Sequence, residues 1–283
     1  MARCRGGTSY SQRMAPLTFM CVHAHPDDEA ISTGGVLARY AAEGTATVLV
    51  TCTNGELGDA PGGVKPGEPG HTEGKVVTIR RRELEASCAA LGVDHLELLG
   101  YHDSGMMGWP QNDADHAFWR ADVGQAAERL AGLIERYQPQ VVVTYDEHGF
   151  YGHPDHIQAH RITVAAVEQT GIPDKLYYPA IPASAIPRFA EMLASRGIEV
   201  PSEFEDAPFG TPDDEIGAVV DCSAYAAAKF ASLSAHSSQA ENIFFLSLGV
   251  QVFSEVFSKE AFVRARDRTQ RSGVEDDLFS GIR

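Results

Sequence analysis

The chain of 283 residues is 43% apolar and 22% charged, the proportions of an ordinary folded protein and not of a disordered one. Its 23 Lys+Arg against 39 Asp+Glu give a formal charge of −16, which argues against nucleic acid or an anionic membrane as partner, since both demand clustered cations. No apolar run approaches the ~20 residues of a membrane span, and five scattered cysteines without CxxC spacing exclude a disulfide framework and fit the reducing cytoplasm.

Residues 1–16 are basic but lack the apolar core of a secretory signal; they read as a disordered leader, with Met14 as an alternative start. Leu17–His23 is a short apolar run stopped by Pro26, the pattern of a buried first strand. Ile31–Glu43 follows as a helix with Val36, Leu37 and Tyr40 on one face and Gly44 as its stop. Val48–Thr53, rich in β-branched residues, is a second buried strand. Thr78 is placed to cap a helix in which Leu84, Cys88 and Leu91 recur at i, i+4 and i+7 before Gly92. A strand around Leu96–Leu99 precedes a helix opened by Asp122, with Ala126, Leu130, Leu133 and Tyr137 inward and Pro139 beyond its end. Val141–Tyr145, Asp155–Gln169 and Lys175–Tyr178 continue as strand, helix and strand. Beyond about residue 182 the rhythm weakens into a C-terminal extension, with a strand at Ile216–Val220 and an alanine-rich helix at Tyr225–Ala235. The alternation predicts an α/β, Rossmann-like fold: a mostly parallel sheet with helices on both faces, one domain over residues 17–283.

Two stretches interrupt this rhythm. Gly55 to Val77 holds seven glycines and three prolines, and Asp103 to Asp115 holds Met106, Met107 and Trp109 among polar residues. Both follow strands and so lie at the carboxyl edge of the sheet, where open α/β folds bind ligands. Met106 and Trp109 offer a substrate an apolar wall.

The tripeptide His-Pro-Asp occurs twice, each time after a strand: His25-Pro26-Asp27-Asp28-Glu29 and His153-Pro154-Asp155-His156. Proline stops the strand and turns the chain into the next helix. His25 and Asp28 are three apart and can face one way while Asp27 points elsewhere. Two ligands from the first turn and a His from the second make a three-ligand site with a position left for water, the pattern of hydrolytic zinc. His153 and His156 are also three apart, and spacing alone does not choose between them. A single His-Pro-Asp is usually a capped turn; two at corresponding places in the topology are not explained that way. His23 reads as a core or supporting histidine, and His71, His95, His102, His116, His148 and His160 as surface residues.

These motifs resemble those of the PIG-L/LmbE-like zinc deacetylases, which act on N-acetylglucosaminyl substrates, and most nearly the mycothiol-pathway branch of deacetylase and conjugate amidase. The likeness extends through Thr53-Asn-Gly-Glu56, Arg80–Leu84, Asp103-Ser-Gly-Met106, Val143-Thr-Tyr-Asp146, Ala235-His-Ser-Ser-Gln239 and Glu275-Asp-Asp-Leu-Phe279. It implies one Zn2+ held by His25, Asp28 and His156, with Asp27 as general base and His153 as general acid. It further implies that Asp155 orients His153, that Tyr151 assists at the oxyanion, and that Arg80 and Asp103 hold sugar or inositol hydroxyls. The chain departs from the family at His148-Gly-Phe150-Tyr151, where members often read Asn-Gly-Gly-Tyr.

The leading function is therefore removal of acetyl from a small N-acetylglucosamine-containing molecule in the cytoplasm. The alternatives are an amidase on a thiol-sugar conjugate, a metal-dependent hydratase, and a non-catalytic sugar-binding module. A dinucleotide enzyme ranks last, because no GxGxxG follows the first strand.

Overall fold

The computed structural model describes residues 17–198, 210–240 and 242–283, so the leader expected at 1–16 lies outside the described residues. Seven strands form one sheet of order β3-β2-β1-β4-β5-β7-β6. Five of them run parallel: β1 (Thr18–His23), β2 (Ala46–Thr53), β3 (His95–Tyr101), β4 (Val141–Val143) and β5 (Lys175–Ala180). β7 (Lys259–Asp267) is antiparallel to β5, and β6 (Ile216–Asp221) is antiparallel to β7. The C-terminal extension thus continues the same sheet. β7 has no counterpart in the sequence reading, because buried Glu260 breaks into its apolar run and Arg264 and Arg266 occupy its second half.

Strand side chains alternate between faces with a period of two. Met20, Val22, Val48, Val50 and Val142 pack beneath helices α4 (Val123–Tyr137) and α6 (Pro154–Thr170), against Leu130, Ile134, Ile162 and Ala166. Phe19, Cys21, Leu49, Val141 and Val143 point the other way, onto Val36, Leu37, Tyr40, Leu84 and Leu91 and onto Phe262, Leu278 and Phe279 of the C-terminal region. Each such side chain, fully buried, contributes about 1.5–3 kcal/mol. Parallel strands covered on both faces explain why the strands read as unbroken apolar runs.

The helix expected at Ile31–Glu43 is two helices, α1 (Asp28–Ser32) and α2 (Gly34–Ala42), broken at Thr33. Thr33 Oγ1 is drawn to the Glu29 carbonyl (3.3 Å) and to His23 Nε2 (2.8 Å). The buried first amides of α2, which have no partner within the helix, are capped from a distance: the Glu260 carboxylate accepts from Gly35 N–H at 2.7 Å and Val36 N–H at 2.9 Å. Lys229 Nζ neutralises Glu260 at 2.7 Å. Gly35 is required here, since a Cβ would collide with Cys222 and with the capping carboxylate.

Helix α3 (Glu73–Leu91) begins a turn ahead of Thr78, whose hydroxyl bonds the Gly74 carbonyl within the helix instead of capping it. The glycine-rich loop is correspondingly shorter than its composition suggests, because its last glycine, Gly74, has entered the helix. Gly92 ends α3 at φ 73°, and Asp122 caps α4 by accepting from Gln125 N–H, both as expected.

Strand order reverses between β1 and β4, with β2 and β3 to one side and β5 to the other. That switch point opens a crevice at the carboxyl ends of β1 and β4. Both His-Pro-Asp turns descend into it. No helix among the described residues is long and apolar enough to cross a membrane. The four described cysteines are buried and free.

Removing one partner of a buried ion pair strands the other, whereas an exposed pair contributes little. Glu260→Ala is expected to cost about 3–5 kcal/mol in urea unfolding, against less than ~1 kcal/mol for Glu85→Ala in the exposed Arg81–Glu85 pair. Equal small losses would show that Glu260 does not secure α2.

Candidate metal centre and active site

β1 ends at His23 and the chain turns through Pro26 to Asp27, the residue preceding α1. Asp27 has φ 107° and ψ −26°, a left-handed conformation that costs a non-glycine residue on the order of 1–3 kcal/mol. The surroundings hold it there. Glu29 accepts its N–H at 3.0 Å, and Arg80 Nη2 lies 3.3 Å from its Oδ1. Arg80 also donates to the carbonyls of Pro26 and Gly55. A Cβ at Gly55 or Gly58 would strike the guanidinium, so these glycines of the loop serve close approach.

On the other strand end, a short irregular turn, α5 (Gly149–Gly152), precedes α6. Phe150 within it has φ 65° and ψ −70°, another strained conformation that a glycine would adopt freely. The sequence resemblance leads to the expectation of glycine at this position. His153 caps α6, its Nδ1 accepting from Asp155 N–H at 3.1 Å, with Pro154 in the first turn. The lone ring proton of His153 is thereby assigned to Nε2.

Two ring nitrogens and a carboxylate converge between the two turns. His25 Nδ1 lies 3.4 Å from Asp28 Oδ2, and His156 Nε2 lies 3.5 Å from Asp28 Oδ1. The far nitrogen of each imidazole is already occupied: His25 Nε2 meets Asp155 Oδ2 at 3.2 Å, and His156 Nδ1 meets the Gly149 carbonyl at 3.2 Å. A carboxylate or carbonyl on the far nitrogen is how metal-binding histidines are oriented. His156 Nε2 is a buried nitrogen without a hydrogen-bond partner, an expensive arrangement unless a cation takes its lone pair. Asp28 Oδ2 accepts from His25 N–H at 2.7 Å and Tyr145 O–H at 2.6 Å, which leaves Oδ1 facing His156. The residues therefore fit a divalent cation. A ring nitrogen of His153 also lies within 4.8 Å of those of His25 and His156, so it flanks the same space.

The protein charges polarise this cluster strongly. Burial opposes ionisation of Asp28, but His156 and His25 outweigh it and hold the carboxyl well below the usual range. Burial likewise disfavours a charged His25, yet Asp103, Asp155 and Asp28 raise its pKa well above that of free histidine. His153 is pushed down to about 2 by burial and by His25 and His156. Burial raises Asp27 to about 7 against the pull of Arg80.

Some expected roles change in detail. The Asp155 carboxylate does not reach His153; it contacts His25 and accepts from both the N–H and the hydroxyl of Ser104. The cause is helix geometry: within the first turn of α6 the Asp155 peptide faces the cap while its side chain points across to β1 and the loop after β3. Nor does Asp155 cap α6. Arg80 is buried beneath Asp27 instead of lining a hydroxyl pocket, because it shares the inward face of α3 with Val76 and Leu84. Asp103 is also buried. It accepts from Gly105 N–H at 2.8 Å and Leu57 N–H at 3.3 Å, joining the two loops, and lies 3.6 Å from His25. Met106 and Trp109 are exposed at the loop surface, with the Trp109 ring against Gly105. Tyr151 is partly exposed beside the cluster, its ring 5.0 Å from His156 and 6.1 Å from His153.

Sequence reasoning assigned no role to Tyr145, Glu29 or His236. Tyr145 follows β4 and touches Asp28, Ala24 N–H and His23, which is a supporting residue as expected. Glu29 and His236 form a fully buried pair at 2.7 Å. Both residues stood inside motifs that carried the family resemblance, and that was the available signal.

Asp155→Asn is expected to weaken divalent-metal binding by ~10–100-fold, as loss of a partner behind a ligand does. His156→Ala should abolish stoichiometric binding, while His153→Ala should retain it, as read by metal analysis after dialysis. Full metal in His156→Ala and none in His153→Ala would exchange their places.

A family model for GlcNAc-PI de-N-acetylase (PIG-L) matches residues 20–167. A 1D-myo-inositol 2-acetamido-2-deoxy-alpha-D-glucopyranoside deacetylase of Thermomonospora curvata is 44% identical over 288 aligned positions, covering 92% of this chain and 95% of the relative. Among solved structures, the fold is similar to that of N,N'-diacetylchitobiose deacetylase from Pyrococcus horikoshii (TM-score 0.55, 19% identity, 87% of this chain and 83% of that one). It is similar also to the 4-carboxy-2-hydroxymuconate hydratase GalB from Pseudomonas putida (TM-score 0.59, 20% identity, 91% and 99%). The fold alone thus does not separate hydrolysis from hydration, but the sequence match does place the chain: it belongs to the PIG-L, GlcNAc-PI de-N-acetylase, family.

Proposed function

We propose that this protein is a zinc-dependent de-N-acetylase of the cytoplasm that removes the acetyl group from an N-acetylglucosaminyl-inositol. The observation that carries the reading is the approach of His25 Nδ1 and His156 Nε2 to the two oxygens of the Asp28 carboxylate, with Asp27 next in sequence yet turned towards Arg80. The names of curated relatives such as the Thermomonospora curvata deacetylase supply the substrate. Buried, unpaired cysteines suit a reducing compartment.

A two-nitrogen, one-oxygen donor set suits zinc or another first-row ion, which when bound lowers the pKa of water and polarises the acyl oxygen. The remaining work falls to side chains of this chain. Asp27 takes a proton from the attacking water; its pKa, raised by burial, leaves the carboxylate basic enough for that task. Arg80, 3.3 Å from the carboxylate, restrains it from swinging onto the ligands. His153 presents Nε2–H to the reacting group. To deliver a proton to the leaving amine it must first become imidazolium, which displaces Asp155 N–H from Nδ1. As a hydrogen-bond donor to the oxyanion it needs no such change, and the proton that Asp27 took from water is then the one passed to the leaving amine. Tyr151, partly exposed at the rim, is positioned to add a second donor. Met106 and Trp109 form an apolar edge for the sugar, and Phe150 adds an aromatic ring where family members often have glycine.

Asp27→Asn should retain one zinc per chain and lose ~10²–10⁴ in kcat, the usual contribution of a general base. Normal turnover by that variant would assign the base elsewhere. Amine release should be abolished by chelator and restored by zinc. The kcat/KM for N-acetylglucosaminyl-inositol should exceed that for free N-acetylglucosamine by ~10² or more. Preference for a thiol-sugar conjugate would reassign the protein as an amidase. Inertness of metal-replete protein towards every N-acylated sugar would reject the deacetylase.

A further inference from the structure

Behind the crevice, Glu29 has no access to solvent, and its two oxygens face different ways. Oε2 accepts the Asp27 N–H at 3.0 Å. Oε1 accepts from His236 Nε2 at 2.7 Å and from the Ser87 hydroxyl, which itself meets the Ser232 hydroxyl at 2.6 Å. His236 directly follows α7 (Ala226–Ala235), a helix packed against α1 and α3.

The N–H that Glu29 holds and the carbonyl that Arg80 holds belong to one peptide unit, the bond from Pro26 to Asp27. Both polar atoms of that plane are thus gripped by buried charged side chains on opposite sides. Rotation of the plane sets φ of Asp27, so the two grips together maintain the strained value of 107°. A buried ion pair is poor value as mere packing, since apolar residues of similar volume usually stabilise as well or better. What apolar residues cannot do is accept the Asp27 N–H.

We propose that Glu29 and His236 are positioning residues for the base: the pair locks the Pro26–Asp27 peptide, which aims the Asp27 carboxylate past the metal ligands at the attacking water. The inference rests on Asp27 being the base. It brings the C-terminal region, through His236, into the operation of a centre built from the two strand turns.

A double-mutant cycle in the zinc-loaded, full-length protein tests it, read by amine release from N-acetylglucosaminyl-inositol. His236→Ala should lower kcat by ~10–100-fold in the native background, within the range of coupled neighbours, with KM changed less than ~2-fold and one zinc retained. In the Asp27→Asn background the same change should cost less than ~3-fold, because there is no carboxylate left to aim. His236→Gln, which restores a donor near the Nε2 position, should recover most of kcat. A purely structural pair would depress both backgrounds equally, and that result, or an unchanged kcat in His236→Ala, overturns the proposal. If His236→Ala does not fold, Ser87→Ala removes the other donor to Glu29 Oε1 and is put through the same cycle with the same two outcomes. Full activity in Asp27→Asn alone is a separate result, which rejects the base assignment itself.

Discussion

The Asp28 carboxylate lies where the two strand ends meet, accepting from the His25 peptide on the β1 side and from Tyr145 on the β4 side. Taking a carboxylate out of water costs several kcal/mol unless charge and hydrogen bonds replace its hydration. The crevice supplies both, since two donors hold Oδ2 while His25 and His156 face the group at 3.4 and 3.5 Å. The far nitrogens of both imidazoles donate elsewhere, His25 to Asp155 and His156 to the Gly149 carbonyl, which turns the near nitrogens towards Asp28, as a cation site requires. The sheet makes this possible, because only at the strand-order reversal can two turns so distant in sequence share one crevice.

Around this centre, rigidity is built from charges placed far apart in the chain. Glu260 caps α2 from β7, Glu29 pairs with His236, and Lys175, fully buried, donates to Glu275 at 2.7 Å in the C-terminal segment. Each interaction holds part of the C-terminal region to the Rossmann-like half. Of the four described non-glycine residues with positive φ, Asp27 and Phe150 belong to the two turns of the site, while Gln138 and Gln270 lie elsewhere. Asp27 illustrates the link from sequence to function. A carboxylate next to Asp28 in sequence lies against Arg80, on a backbone that turns through the left-handed region.

The two His-Pro-Asp turns were legible because proline, histidine and carboxylate declare both a strand stop and a chemistry within four residues. The parallel strands were legible for the same local reason, as apolar runs bounded by turns. Tyr145, Glu29 and Glu260 were not, because each acts on a partner 117, 207 and 225 residues away, respectively. Arg80 sits between these cases. Three consecutive arginines conceal it, but Val76 and Leu84 lie four residues to either side, so the helical period already put Arg80 alone of the three on the buried face. Asp155 was read into the right site with the wrong partner, because the direction of a side chain in a first helical turn depends on the cap, and the cap is His153.

The roles of Asp27, Asp28, His153 and His156 all depend on which atoms hold the cation. Anomalous diffraction at the zinc edge from zinc-soaked crystals locates the ion directly. The structure predicts one ion within bonding distance, ~2.0–2.2 Å, of His25 Nδ1, Asp28 Oδ1 and His156 Nε2, with both Asp27 oxygens outside that distance. An ion bonded to Asp27, or held by His153 in place of His156, would contradict it.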